Sequence, residues 1–152
     1  PYTHPPSDPL VGTPGGPRLR VGYVSSDFAN HPLAHLMQSA LTFHDRSVIE
    51  VFCYSLRPSD NSVHRGMIEN GVEHFLEVTH LDSLTIANRI ADDGIHVLVN
   101  LNGYTKGARN DIFALRPAAV QLLYMGFPGT MGADYIDYLV TDNVVSPPHL
   151  EY

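Results

Sequence analysis

The sequence predicts one α/β domain, a doubly wound sheet of parallel strands covered by helices. Short runs rich in β-branched and aromatic residues alternate with segments whose apolar residues recur at helical spacing. Strands that alternate with helices form right-handed βαβ units and a parallel sheet. Two of the runs, 95–101 and 119–125, are apolar almost throughout, which is typical of strands buried on both faces.

The first four elements follow a segment rich in proline. A β-rich run at 18–26 precedes a helix at 33–43, in which the apolar residues share one face. A second strand follows at 48–56. A weaker helix at 61–70 ends near Gly71, because glycine is a good residue for the end of a helix.

The middle elements are bounded by capping residues. A short strand is predicted at 74–78. Asp82 is a suitable N-cap for a helix that runs to about Asp93, and Gly94 follows it as the C-terminal cap. The next strand occupies 95–102.

The last elements are a short helix and two strands. The helix at 110–115 must end before Pro117, because a proline disfavours helical geometry in the residue before it. Strands are predicted at 119–125 and 135–141. With six strands and four helices in this order, we expect a Rossmann-like lobe over 18–152.

Residues 1–17 are predicted to be a linker or an extended arm. They hold six prolines and three glycines, and this composition excludes both a helix interior and a central strand. We therefore expect the ordered lobe to begin at Arg18, as one piece of a longer protein.

Composition excludes several classes of partner. The chain has 152 residues, with 16 acidic and 9 basic side chains and a formal charge of −7. This balance argues against a nucleic-acid-binding surface, which needs a basic face, and against a polybasic membrane anchor. We also expect no membrane-spanning segment, since no apolar run is long enough. Cys53 is the single cysteine, so no internal disulfide forms, which fits an intracellular protein.

The functional site is predicted at one edge of the sheet. In doubly wound folds, ligands bind in the crevice at the carboxyl ends of the strands. That rule selects the loops at 25–32, 100–110, 125–132 and 141–148, which are rich in Gly, Asn, Asp and Ser. We expect one crevice to collect them.

The first of these loops contains candidate catalytic residues. Pro32 suits the first helical position, so His31 is the expected N-cap, with Asn30 as the other candidate. The positive end of a helix favours a neutral ring that can accept a proton, and Asp27 can orient such a ring. The other interpretation is structural: Asp27 stabilises the turn and His31 only begins the helix. A metal site formed by Asp27, His31 and His35 is a third alternative, although a fourth ligand is missing.

Two of the other loops contain glycines, and their motifs are less specific. The sequence GFPGTMG at 126–132 spaces its glycines by three residues, and NGYTKGAR at 102–109 includes Lys106 and Arg109. Both loops can present backbone N–H groups or cations to a phosphate or sugar. Both can equally be turns that need positive φ angles.

Four longer motifs resemble the catalytic region of protein O-GlcNAc transferases. The motifs are LRVGYVSSDFANHPLAHLM, EVFCYSL, HVLVNLNGYTKGARNDIFALRPA and YMGFPGTMGADYIDYLVTD. The resemblance covers roughly 18–148, and the plant-type members are the most similar. It implies a GT-B architecture, in which tetratricopeptide repeats precede two Rossmann-like lobes that face a cleft. This chain is similar to the N-terminal lobe.

The resemblance also implies a reaction. The family transfers N-acetylglucosamine from UDP-GlcNAc to Ser or Thr hydroxyls of nuclear and cytosolic proteins, with inversion and without a metal or another cofactor. By this resemblance, the partners are protein acceptors, UDP-GlcNAc, and the C-terminal lobe and tetratricopeptide segment of the same protein. The isolated lobe is expected to be inactive, because most of the UDP site lies in the second lobe.

The resemblance assigns roles to eight residues. It implies that His31 and Asp27 are catalytic. Pro32, Met125 and Gly126 match positions near the donor sugar and its diphosphate. Tyr104, Thr105 and Lys106 match a loop near the acceptor.

Two other functions remain as alternatives. One is a protein O-fucosyltransferase that uses GDP-fucose, a related branch that is similar in outline. The other is a doubly wound lobe that binds partners without chemistry. A catalytic lobe predicts that replacing His31 or Asp27 lowers turnover while the fold survives, whereas a scaffold predicts no effect on transfer.

Overall fold

A computed structural model of the chain describes residues 2–4, 6 and 8–147. Pro1, Pro5 and Ser7 of the predicted arm therefore lie outside the described residues. The same is true of 148–152, which include the last residue of the fourth predicted loop.

The described chain contains the ten predicted elements in the predicted order. The strands are β1 (Leu19–Ser25), β2 (Ile49–Ser55), β3 (His74–Glu77), β4 (Val97–Asn100), β5 (Val120–Tyr124) and β6 (Tyr138–Val140). The helices are α1 (Pro32–Ala40), α2 (Val63–Gly71), α3 (Ser83–Asp92) and α4 (Asn110–Ala114). The predicted caps are also present: Asp82 accepts a hydrogen bond from Thr85 N at the start of α3.

The strands form one parallel sheet in the order β3-β2-β1-β4-β5-β6. The chain builds outward from β1 to β3, returns to place β4 beside β1, and then builds in the opposite direction. This is the Rossmann strand order, and its switch point lies between β1 and β4. The predicted α/β fold class is confirmed.

Each face of the sheet carries its own hydrophobic core. On one face, Val21 and Tyr23 of β1 pack with Met37 of α1 and Ile68 of α2. On the other, the next residue of the strand, Val24, packs against α3 and α4. Successive side chains of a strand point to opposite faces, so β1 supplies both cores. The sheet is doubly wound, as the apolar strands indicated.

Several boundaries differ from the predicted ones. Helix α1 ends at Ala40 rather than at Phe43, because the amides of Thr42 and Phe43 turn back to Ser39 and Ala40 in tight turns. Strand β6 is shorter than the run 135–141, because Ile136 N bonds to the carbonyl of Ala133 before the strand begins.

The described residues before Leu19 form turns but no helix or strand. Their hydrogen bonds to the lobe include one from Tyr2 and one from His4. The Tyr2 hydroxyl donates to Asn88 Oδ1 over 2.7 Å, and His4 Nε2 lies 2.9 Å from the carbonyl oxygen of Arg116. Among the helices of the described residues, none has the length and apolarity that a bilayer crossing needs.

Candidate active site

A cavity of about 780 Å³ opens at the carboxyl edge of the sheet. Its walls come from the loops after β1, β2, β4 and β5 and from the start of α1. It therefore lies over the switch point between β1 and β4, where doubly wound folds bind their ligands. Three of the four predicted loops contribute to it. The fourth, after β6, supplies none of the described lining residues.

The loop after β2 is a wall of the cavity that the sequence does not predict. Leu56, Arg57 and Pro58 line the cavity, and they follow β2 at the same edge as the other loops. The rule about carboxyl ends applies to β2 as well. The loop was missed because LRPSD carries no recognisable chemical motif, and only its position indicates a role.

Asp27 lies in the wall of the cavity with both carboxylate oxygens hydrogen-bonded. Ser26 Oγ donates to Oδ1 over 3.2 Å, and Asn102 Nδ2 donates to Oδ2 over 2.7 Å. The side chain is 12% exposed. Asp27 is therefore held in a fixed orientation in the loop after β1. The small exposed part of its side chain faces the cavity.

His31 is the N-cap of α1, as predicted. Its backbone is extended, and its Nδ1 accepts a hydrogen bond from Leu33 N over 3.2 Å. The same Nδ1 lies 4.0 Å from Asp27 Oδ2, which is beyond hydrogen-bond distance. An imidazole nitrogen that accepts a hydrogen bond carries no proton, so the neutral ring bears its proton on Nε2. The cap geometry thus makes Nε2 a hydrogen-bond donor.

The loop after β5 approaches the loop after β4 very closely. A Cβ at Gly126 would lie 1.6 Å from the carbonyl oxygen of Leu101, so only glycine fits there. Met125, directly before it, adopts a φ of 65°, a conformation that favours glycine and asparagine. Both residues line the cavity, and with Pro32 they form part of its apolar wall.

The loop after β4 contributes two of its three predicted residues. Thr105 and Lys106 line the cavity. Tyr104 does not, because its hydroxyl donates to the carbonyl of Met131 over 2.9 Å and its ring packs edge-on against Phe127. The structure thus brings seven of the eight predicted site residues to one cavity. Their roles stay predictions.

The metal alternative finds little support in the side-chain positions. His35 Nε2 lies 2.9 Å from Asn30 Oδ1, and its ring contacts that of His64 at a centroid distance of 3.8 Å and a tilt of 36°. Over the residues that the structure describes, no three His, Cys, Asp or Glu side chains are close enough to hold an ion. The charged side chains that line the cavity are Asp27, Arg57 and Lys106.

Comparison with known proteins finds a matching family model and similar relatives for this chain. The model of "Glycosyl transferase family 41" matches residues 1–152. The chain is 58% identical over 147 residues to a probable UDP-N-acetylglucosamine–peptide N-acetylglucosaminyltransferase, SEC, of Arabidopsis thaliana, covering 97% of this chain and 15% of the relative. It is 54% identical over 136 residues to the UDP-N-acetylglucosamine–peptide N-acetylglucosaminyltransferase of Caenorhabditis elegans, covering 89% and 12%.

The chain is also similar, at lower identity, to SPINDLY of Arabidopsis thaliana. That protein too is named a probable UDP-N-acetylglucosamine–peptide N-acetylglucosaminyltransferase. There the identity is 32% over 135 residues, with 86% of this chain and 15% of the relative covered. The chain therefore spans only a small part of the length of these relatives.

A solved structure supports the same placement. A mutant O-GlcNAc transferase of Thermobaculum terrenum matches with a TM-score of 0.84 and 32% identity, over 96% of this chain and 28% of that chain. The match confirms the predicted Rossmann-like lobe of a GT-B glycosyltransferase. Fold and sequence agree, and the chain belongs to glycosyltransferase family 41.

Proposed function

We propose that this chain is the N-terminal catalytic lobe of a protein O-GlcNAc transferase. The protein would move N-acetylglucosamine from UDP-GlcNAc to Ser or Thr hydroxyls, with inversion and without a metal or another cofactor. One observation carries the proposal. Seven residues assigned by resemblance line a single cavity at the switch point, in a chain 58% identical to a relative named for this activity.

The two catalytic residues have complementary chemistry. In the transfer, the acceptor hydroxyl oxygen bonds to the anomeric carbon, the bond from that carbon to the diphosphate oxygen breaks, and the hydroxyl proton is lost. A neutral hydroxyl needs to lose its proton only late, as the diphosphate departs, so positioning and charge stabilisation contribute more than a strong base. Asp27 supplies the negative charge that attracts the proton. His31 donates a hydrogen bond from Nε2 to a substrate oxygen.

The remaining walls suit the two substrates. We assign Pro32, Met125 and Gly126 to the donor sugar and its diphosphate, and Thr105 and Lys106 to the acceptor. What supports this assignment is that all five residues line the cavity. Tyr104 supports that loop from outside the cavity. The cations Arg57 and Lys106 favour an anionic ligand.

The rest of the protein completes the proposal. We assign most of the UDP site to a second lobe and the recruitment of acceptors to a tetratricopeptide segment, so the isolated lobe is expected to be inactive. The proposed partners are protein acceptors in the nucleus and cytosol, with no nucleic acid and no membrane. The formal charge of −7 supports the last two points.

The test measures the mass of an acceptor peptide. The complete protein that carries this chain is incubated with the peptide and either UDP-GlcNAc or GDP-fucose. Asp27→Asn is the test variant, because it removes the charge at nearly constant shape. His80→Ala is the control, because His80 is exposed and does not line the cavity.

The three outcomes are distinct. A gain of one N-acetylhexosamine that falls in Asp27→Asn and persists in His80→Ala supports the proposal. A gain of one deoxyhexose assigns the protein to fucosyl transfer instead. No gain from either donor with several peptides, from a folded protein, favours a lobe that only binds partners.

A further inference from the structure

We propose that Asn102 is a positioning residue for the transfer reaction: its side-chain amide fixes the Asp27 carboxylate and joins the loop after β1 to the loop after β4. The inference rests on the proposed function for its catalytic part. The contact itself can be tested without activity.

The amide of Asn102 contacts both loops. Its Nδ2 lies 2.7 Å from Asp27 Oδ2, 2.9 Å from Ser26 Oγ and 3.1 Å from Thr105 Oγ1. Its Oδ1 accepts a hydrogen bond from Ser26 N over 2.8 Å. A backbone N–H can only donate, so this last bond fixes which end of the amide is oxygen. Nδ2 is then necessarily the end that faces Asp27.

The amide has two hydrogens, and the geometry assigns one of them to Asp27. Asp27 Oδ2 is the nearest of the three acceptors and the only charged one. Hydrogen bonds to an ionised acceptor are shorter and stronger than neutral ones. The second hydrogen is shared by the hydroxyls of Ser26 and Thr105.

Asn102 lies beneath the cavity and does not line it. The residue is 2% exposed and is absent from the cavity wall, whereas Asp27 is in that wall. A substrate in the cleft would therefore touch Asp27 and not Asn102. Any effect of Asn102 on the reaction has to act through the residues that it holds.

Two further asparagines hold Asn102 in place. Asn100 Oδ1 accepts hydrogen bonds from the backbone N–H groups of Asn102 and Gly103, each over 2.9 Å. Asn100 Nδ2 donates to Asn110 Oδ1 over 3.0 Å, and Asn110 Nδ2 donates to the Gly103 carbonyl over 2.8 Å. The end of β4, its loop and the start of α4 are thus tied together, so Asn102 is presented to Asp27 by a rigid support.

An amide is the side chain that this position requires. An aliphatic residue would leave Asp27 Oδ2 without its donor inside the protein, which is costly for a buried carboxylate. A carboxylate of the same shape would face Asp27 with a second negative charge. The other charged or titratable groups that face this pair across the cavity are His31, Lys106 and Arg57.

The main experiment is Asn102→Asp in the complete protein, with transfer measured as kcat/KM against pH. Two carboxylates at hydrogen-bond distance hold a shared proton to higher pH. We therefore expect the acid limb of the profile to move upward by about one pH unit or more. Asn110→Asp is the matched control, because it adds the same charge to the same network without contacting Asp27, and its acid limb should stay in place.

A second variant separates positioning from binding. Asn102→Ser shortens the side chain, and we expect kcat to fall roughly 10- to 100-fold with little change in the KM for UDP-GlcNAc. A fall of less than twofold, or an acid limb that moves no more in Asn102→Asp than in Asn110→Asp, would overturn the proposal.

A stability cycle tests the contact even in the absence of turnover. At alkaline pH, the thermal midpoint of Asn102→Asp should fall, and adding Asp27→Asn should restore it, because the swapped pair regains its hydrogen bond. Additive midpoints would refute the contact. Coupled midpoints in a protein that transfers no sugar would mean that the contact exists and that the proposed function is wrong.

Discussion

At the scale of single residues, Nδ1 of His31 is the atom needed both to cap α1 and to bind Asp27 if the ring is to act as a base. Nδ1 accepts the hydrogen bond that caps α1, and the same atom is the one nearest to Asp27. A base that acts through Nε2 needs its proton on Nδ1, directed at Asp27, as in a catalytic triad. The observed geometry gives the opposite tautomer. Capping and proton abstraction therefore exclude each other unless the ring turns.

This competition leads to a prediction for His31. Asparagine is a good N-cap and alanine is a poor one. We expect His31→Asn to keep the stability of the lobe within about 0.5 kcal/mol, whereas His31→Ala loses about 1 kcal/mol. Both variants lose the hydrogen bond that Nε2 of the imidazole donates to substrate, so both should lower kcat by about 100-fold. Thermal unfolding and transfer rates of the two variants separate the capping role from the chemical one. Equal midpoints for both variants would contradict the cap.

At the scale of elements, helix α2 not only packs on the sheet but is also hydrogen-bonded to it through one buried guanidinium. Arg65 is 1% exposed. It donates to the Phe28 carbonyl in the loop after β1 over 3.0 Å, to Ser55 Oγ at the end of β2 over 2.9 Å, and to Glu77 of β3 over 2.9 Å. One side chain thus connects the helix to the ends of three strands and supports the loop that carries Asp27.

We predict that Arg65→Met destabilises the lobe by about 3 kcal/mol, because it leaves the Phe28 carbonyl and the Ser55 hydroxyl without a buried donor. The two glutamate partners of Arg65 contribute less, since the side chains of Glu69 and Glu77 are 40% and 42% exposed and remain hydrated. The control is Arg89→Met, which breaks an ion pair of a 51% exposed arginine with Asp93 and should cost under about 1 kcal/mol. Urea unfolding of both variants measures the difference, and equal losses would rule out the bridging role.

The elements also show what the sequence could predict. Alternating patterns and caps such as Asp82 determine the order of strands and helices, because burial on two faces and helix ends have local requirements. The end of α1 was misplaced because Phe43 continues the apolar spacing although it is 81% exposed. In the sequence pattern, an apolar residue in the turn after a helix cannot be told from one that adds a further helical turn.

The location of the candidate site was predictable, but the contacts of its individual side chains and the residues buried beneath it were not. The rule about carboxyl ends selects the loops, and the resemblance selects residues within them. Neither could place Tyr104, whose hydroxyl binds a carbonyl 27 residues away. Neither could find Asn102, because its burial depends on how two loops pack against each other.

At the scale of the whole molecule, the two ends of the sheet have different roles. The carboxyl edge carries the cavity, while the amino edge carries a charge network. There, Arg46 donates to Glu73 over 2.6 Å, and Arg18 pairs with the same carboxylate. Glu50 binds Arg20 at 3.2 Å. These pairs lie at the start of β1 and β2, away from every residue that lines the cavity, so the charges that stabilise this edge are separate from those of the candidate site.

The charge network at the amino edge predicts how the stability of the lobe changes at low pH. Burial alone would raise the pKa of Glu73, but hydrogen bonds from Val51 N, Arg18 and Arg46 outweigh it and lower the pKa from 4.5 to about 2. A carboxylate with a lowered pKa stabilises the folded state above its unfolded pKa, and this contribution disappears as the pH falls through the folded value. The thermal midpoint of Glu73→Gln should therefore lie well below that of the wild type at neutral pH. The gap between the two midpoints should narrow below about pH 4.5 and close near about pH 2.

Asp134→Asn removes an exposed charge outside the network, so its midpoint should follow the wild type throughout. Calorimetry of the three proteins across this range measures the gap, and a gap that is constant with pH would show that Glu73 acts through its shape and not through its charge.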